Sequence, residues 1–291
     1  MYPSVRDHIV LCAWPSLKEG LDALGFDAVE LEFGRDNSVF AIQPTLLKKR
    51  FELDSPVGIE DFRKHLTSTG KSVSALLMSN NFGSADFDGE VNWTIQAVQA
   101  ASALGIPAVR LDAIMHGEED QPLEKNVQVF AEAMMRVLDV TPDVKVDMGI
   151  ENHGYQGNMP EFLDSLLGKV GSPRLGLTID TGNFYWRGHP LSRVYDIIEH
   201  FAPHCKHTHA KNIKYPRDQR EIEREMGWEY GRYVSPLYDG DIDHRRVVQI
   251  LKAAGYDRDL CLEDESLGKW TGDERRAVLV KDADFFREIL R

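Results

Sequence analysis

Apolar positions along this 291-residue chain fall into two alternating patterns. Short, nearly continuous apolar runs read as buried strands, while stretches with apolar residues every three or four positions read as amphipathic helices. The strand-like runs are HIVLCAW from His8, DAVELEF from Asp27, SVSALLM from Ser72 and IPAVRLD from Ile106. Four more end at Glu151, Asp180, His209 and Glu263. Between and after them the helical period predicts helices over residues 17–24, 59–69, 90–104, 123–138, 160–167, 190–200, 243–254 and 273–290. In the third of these Val91, Ile95, Val98 and Ala101 share one face. Asp243 is placed as an N-cap, Pro190 in a first helical turn, and Gly105, Gly171 and Gly255 as C-cap glycines before strands.

Strict alternation of strand and helix, with runs such as GLTI and AVRL apolar throughout, predicts a parallel sheet covered by helices on both faces. Eight strand–helix units predict a single-domain α/β fold, a (β/α)₈ TIM barrel over residues 1–291. Two connections are long, 34–58 and 211–240. Loops of that length in a compact domain are usually functional. The second carries Trp228, Tyr230, Tyr233 and Tyr238, which suits a substrate cover or an interface in a homo-oligomer.

Composition changes this picture little. Apolar residues at 42% and charged residues at 28% allow a large core. The net charge of −13 argues against nucleic-acid partners, whose affinity comes from phosphate neutralisation by Lys and Arg. Cys12, Cys205 and Cys261 are widely spaced and sit in or beside expected strands, so all three are expected to be buried free thiols. No apolar run is long enough for a membrane span, and the N-terminus lacks a signal-peptide pattern, so a cytoplasmic setting is expected.

The chemistry lies at four strand ends. VDMGIENHG delivers Glu151, LGLTIDTGN delivers Asp180, HCKHTHAKN delivers His209 and DLCLEDES delivers Glu263. The interval from Glu151 to Asp180 equals that from Asp180 to His209, about one strand, one helix and two loops. Side chains delivered once per unit at the C-terminal ends of strands converge where barrel enzymes place their catalytic residues. Taken singly, each has a plainer reading. Glu151 suits a loop salt bridge, and Asp180 in DTGN suits an Asx-turn. Glu263 competes with Asp264 and Glu265, and His207, which shares a face with His209, suits a neutral core histidine. Together they read as one site for a divalent metal ion. Three carboxylates and an imidazole favour Mn²⁺, with Mg²⁺, Co²⁺ or Zn²⁺ as other occupants.

These residues resemble the xylose isomerase-like TIM-barrel superfamily, specifically its sugar phosphate isomerase/epimerase branch. The resemblance runs from GFDAVELEF to AGYDRDLCLEDE and rests on a Glu in an ENH segment, an Asp in DTGN, the second His of HxHxK and a Glu after the last strand. It implies that Glu151, Asp180, His209 and Glu263 bind the metal and that Glu151 and Glu263 form the acid/base pair. Asn183 stands where several epimerases of the family carry a substrate-contacting His. The expected function is a metal-dependent isomerase or epimerase of a keto-sugar or related polyol, acting through a metal-stabilised enediolate. The alternative is a metal-dependent dehydratase or lyase on a keto-sugar, keto-inositol or keto-glycoside. Candidate substrate-binding residues are His153, Asn183, His207, Lys211, Arg110 and Trp14, with Glu30 and Asn80 at earlier strand ends. For most of these a rim salt bridge or a capped loop is an equal reading. The Asp264–Glu265 pair disfavours a phosphate group on the substrate.

Overall fold

The computed structural model describes the whole chain, Met1–Arg291. Eight strands make the main sheet: β1 (Tyr2–Arg6), β2 (Ala28–Glu32), β3 (Ser72–Leu77), β4 (Ala108–Asp112), β5 (Asp147–Glu151), β6 (Leu175–Asp180), β7 (Cys205–His209) and β8 (Asp259–Leu262). Their order is β8-β1-β2-β3-β4-β5-β6-β7, so chain neighbours are sheet neighbours and every return passes through a helical crossover. Parallel register is explicit for β1 with β8 (Val5 opposite Leu262), β4 with β5 (Asp112 opposite Glu151) and β5 with β6 (Glu151 opposite Thr178).

The chain packs as two compact units, Met1–Val29 with Ile179–Arg291, and Glu30–Thr178. In the second unit Phe130 meets Phe82 and Phe162 edge to face, with centroids 4.9 and 6.1 Å apart. In the first, Leu260, Cys261 and Leu262 of β8 are fully buried, as is Phe286 of the last helix. Capping follows the sequence: Asp243 accepts from the backbone N–H groups of Arg245 and Arg246, and Gly105 and Gly171 take left-handed C-cap conformations. Pro190 is the N-cap of its helix rather than a residue of its first turn.

The N-terminus departs from expectation. The first strand is Tyr2–Arg6, and the run beginning at His8 forms the short helix Asp7–Leu11, burying Ile9 and Val10. A short apolar run suits a buried strand or a buried helix equally, and Pro3 obscured the strand before it. Trp14 therefore ends no strand. It lies on the turn before the helix Leu17–Leu24, with its ring against Gly20. Cys12 is exposed for the same reason, while Cys205 and Cys261 are buried free thiols.

Both long connections carry structure. An antiparallel pair, Ser38–Phe40 with Arg50–Glu52, occupies the first. Asn212–Ile213 pairs with Val234–Ser235 in the second, bracketing the helix Tyr230–Tyr233. A helix absent from the sequence reading, Asn183–Arg187, follows β6 directly.

Candidate metal centre

In the first unit, β6 ends at Asp180, β7 ends at His209, and Glu263 follows β8. A ligand atom from each lies within 4.8 Å of the other two. All three residues are at most 1% exposed. Asp180 makes the turn that DTGN suggests. Its Oδ1 accepts the Gly182 and Asn183 backbone N–H groups, each at 2.8 Å, as an Asx-turn does. Its Oδ2 faces the Lys211 ammonium at 3.4 Å. Glu263 Oε2 lies 3.0 Å from His209 Nδ1 and 3.3 Å from Lys211 Nζ, while Oε1 accepts from Arg6. Burial raises the pKa of Glu263, but His209, Lys211 and Arg6 outweigh it and hold the carboxyl well below its ordinary range.

Arg6 was missed by the sequence reading. It is the last residue of β1, the position a strand-end search selects once β1 is placed at Tyr2–Arg6. Glu265, seen in sequence as a rival to Glu263 and as a repellent of phosphate, accepts from Lys211 Nζ at 2.9 Å and from the Tyr230 hydroxyl. His207 sits on β7 with its Nδ1 2.9 Å from Asp259 Oδ2, at the opposite end of β8 from Glu263. It is fully buried, which favours the core reading.

In the second unit, Glu151 ends β5 opposite Thr178 of β6, two residues before Asp180. Paired residues of a parallel sheet share a face, so Glu151 and Thr178 project from the same side. Arg110 binds Glu151 by Nε and Nη2 and donates from Nη1 to the Met78 carbonyl at 2.7 Å. It also approaches Asp112 at 3.3 Å, so its guanidinium is committed within this network. His153 Nδ1 lies 3.1 Å from Asp112 Oδ1 and its side chain is 37% exposed. Burial lowers the pKa of His153, but the hydrogen bond to Asp112 and the charges of Glu151 and Asp112 leave it raised. Asn80 bridges to β4, donating to the Asp112 carbonyl and accepting from its N–H. Glu30 is fully buried.

A family model, xylose isomerase-like TIM barrel, matches residues 20–289. The chain belongs to this family. Its fold is thus an α/β TIM barrel, in keeping with the consecutive strand order of its main sheet. Solved structures agree at the level of fold. An L-ribulose 3-epimerase matches with TM-score 0.69 and 19% identity, covering 99% of this chain and 94% of its own. The IolI protein, solved with a zinc atom, matches with TM-score 0.69 and 14% identity, covering 98% of each chain. A mannonate dehydratase from Streptococcus suis serotype 2 matches with TM-score 0.66 and 13% identity, covering 99% of this chain and 93% of its own. A search of curated proteins found no match.

The donor set fits a metal ion. Asp180, His209 and Glu263 are a buried group of hard oxygen donors and one imidazole. His207, His209 and Cys261 are a second buried group whose ligand atoms also lie within 4.8 Å of one another. Its thiol and its engagement of Asp259 make it the softer and less accessible of the two.

Proposed function

We propose that this family member is a metal-dependent isomerase or epimerase acting on a keto-sugar or related polyol, with Glu151, Asp180, His209 and Glu263 as ligands of one divalent ion. The observation that carries this reading is the convergence of Asp180, His209 and Glu263 at three strand ends, with ligand atoms within 4.8 Å of one another. Glu151, which ends β5 as Asp180 ends β6, is proposed as the fourth ligand. Hard donors favour Mn²⁺, with Mg²⁺, Co²⁺ or Zn²⁺ as other occupants. In this reading residues 1–291 form one barrel in the cytoplasm, and the buried free thiols Cys205 and Cys261 suit a reducing setting.

A divalent ion there supplies Lewis-acid stabilisation of negative charge building on the keto oxygen. Glu151 and Glu263 are the proton-transfer pair: one removes the proton from the carbon beside the ketone, and the other returns a proton from the opposite face. An arginine fixes each of them, Arg110 on Glu151 and Arg6 on Glu263. His153, held by Asp112 and half exposed, and Asn183, which opens the short helix after β6, orient substrate hydroxyls.

The test incubates a panel of keto-sugars in D₂O with the Mn²⁺-loaded protein and follows deuterium beside the ketone. The expected result is exchange with epimerisation or isomerisation, abolished in Asp180→Ala, which should also lose the bound metal. Turnover without exchange would make hydride shift the better mechanism and leave the glutamates as plain ligands.

A further inference from the structure

The Lys211 ammonium occupies an unusual position. It is 3.4 Å from Asp180 Oδ2 and 3.3 Å from Glu263 Oε2, the carboxylate oxygens of two proposed ligands, and the residue is only 4% exposed. A divalent ion bound to the same oxygens would sit about 2.0–2.6 Å from them, within a few ångströms of the ammonium. Two cations cannot share those oxygens at that separation without strong repulsion in a buried setting. The lysine stem is long and flexible, so the ammonium can move while its backbone stays fixed. Its destination is already in contact: Glu265 Oε1 is the nearest carboxylate, at 2.9 Å. The other oxygen of Glu265 accepts from the Tyr230 hydroxyl, which holds that carboxylate in place.

We infer that Lys211 is a built-in counter-cation that must leave Asp180 and Glu263 when the metal enters, and that Glu265, held by Tyr230, receives it. This rests on the metal-site reading above and adds what sets the affinity of the site. In the metal-free protein Lys211 balances two buried carboxylates. In the metal-bound protein it pairs with Glu265 alone, its amine directed by a residue of the 211–240 connection. Lys211 and Glu265 are therefore positioning residues for the metal, and they act as a unit.

The experiment measures Mn²⁺ affinity by calorimetry, with free Mn²⁺ checked by electron paramagnetic resonance. The proteins are wild type, Asp180→Ala, Lys211→Met, Glu265→Gln and the Lys211→Met/Glu265→Gln double variant. Lys211→Met should bind Mn²⁺ roughly ten-fold more tightly than wild type, a coupling of ordinary size between two sites. Glu265→Gln should bind several-fold more weakly in the wild-type background and show no loss in the Lys211→Met background. A long-range charge effect of Glu265 would instead be additive, so the double-variant cycle separates the two. Equal penalties in both backgrounds, or unchanged or weaker binding by Lys211→Met, would overturn the inference while leaving the metal site intact. Failure of wild type to bind Mn²⁺, or equal binding by Asp180→Ala, would overturn the metal-site reading and the inference with it. If Lys211→Met does not fold, Lys211→Gln serves in its place, keeping a polar group without the charge.

Discussion

Asp282 offers a stringent test of the electrostatics behind the candidate site. It lies on the last helix, Gly272–Ile289, and is fully buried. Its Oδ1 accepts the Leu237 and Tyr238 backbone N–H groups at 2.8 and 3.3 Å, and the Asp264 carboxyl lies close enough to interact with its charge. Burial and then the charge of Asp264 push the Asp282 pKa well above the ordinary carboxylate range. The folded protein therefore keeps a proton that the unfolded chain releases above about pH 4. A folded-state pKa above the unfolded one contributes stability that is complete below the unfolded value and is lost as pH rises toward the folded value. The slope is at most about 1.4 kcal/mol per pH unit for one proton. Asp282→Asn keeps the Oδ1 acceptor and does not titrate, so it should remove this slope. Urea unfolding of both proteins at matched pH from 4 to 8 gives the difference, in which the titrations of groups away from the Asp264–Asp282 pair cancel. Asp282→Asn should gain on wild type steadily across this range and be the more stable protein at pH 8. A difference independent of pH, or a variant less stable at pH 8, would refute a proton retained at this carboxyl pair.

Two further predictions concern the same half of the chain. His244 is fully buried against Thr181, and burial lowers its pKa to about 4. Its neutral form is thus part of the fold, and about 3 kcal/mol of stability should be lost as pH falls from about 6.5 to 4, since each pKa unit is worth about 1.4 kcal/mol. His244→Gln should flatten that acid limb in the same unfolding series, and an unchanged limb would assign it to other groups. Gly188 has φ 114°, and a Cβ there would meet the Arg224 carbonyl at 2.1 Å. Gly188→Ala should cost about 2 kcal/mol or more through strain and displacement of the 211–240 connection. A melting temperature within error of wild type would show that this connection yields freely.

What the sequence made legible was set by how local the deciding signal is. Most barrel strands are apolar runs flanked by well-capped helices, so period and caps located them. β1 was lost because its signal is split by Pro3, while the adjacent helix Asp7–Leu11 offers a more continuous apolar run. Losing β1 also lost Arg6, which binds Glu263 from the far end of the chain. Asp180, His209 and Glu263 were legible because a strand end is a local feature. Arg110 and Lys211 were named as substrate contacts, since nothing nearby in sequence marks Arg110 as bound to Glu151 or Lys211 as shared among Asp180, Glu263 and Glu265.

The aromatic residues of the 211–240 connection show the same limit from another side. Clustered in sequence, they suggested a surface awaiting substrate or a second subunit. In the fold they largely satisfy one another: Trp228 stacks on Tyr233 with centroids 5.5 Å apart, and Tyr215 packs against both. Arg224 covers Tyr215 at 4.4 Å and hydrogen-bonds the Tyr185 carbonyl, tying the segment to the helix after β6. Lys269 binds the Arg232 and Val234 carbonyls, fixing the segment to the turn after β8. A segment held by this many internal contacts opens only at the cost of breaking several together, which opposes a freely swinging lid. Two residues of this segment reach Glu265: Tyr230 through its hydroxyl, and Lys211 through its ammonium, which also faces Asp180 and Glu263. The connection thus meets the candidate site through one ammonium and one hydroxyl, joined at the Glu265 carboxylate.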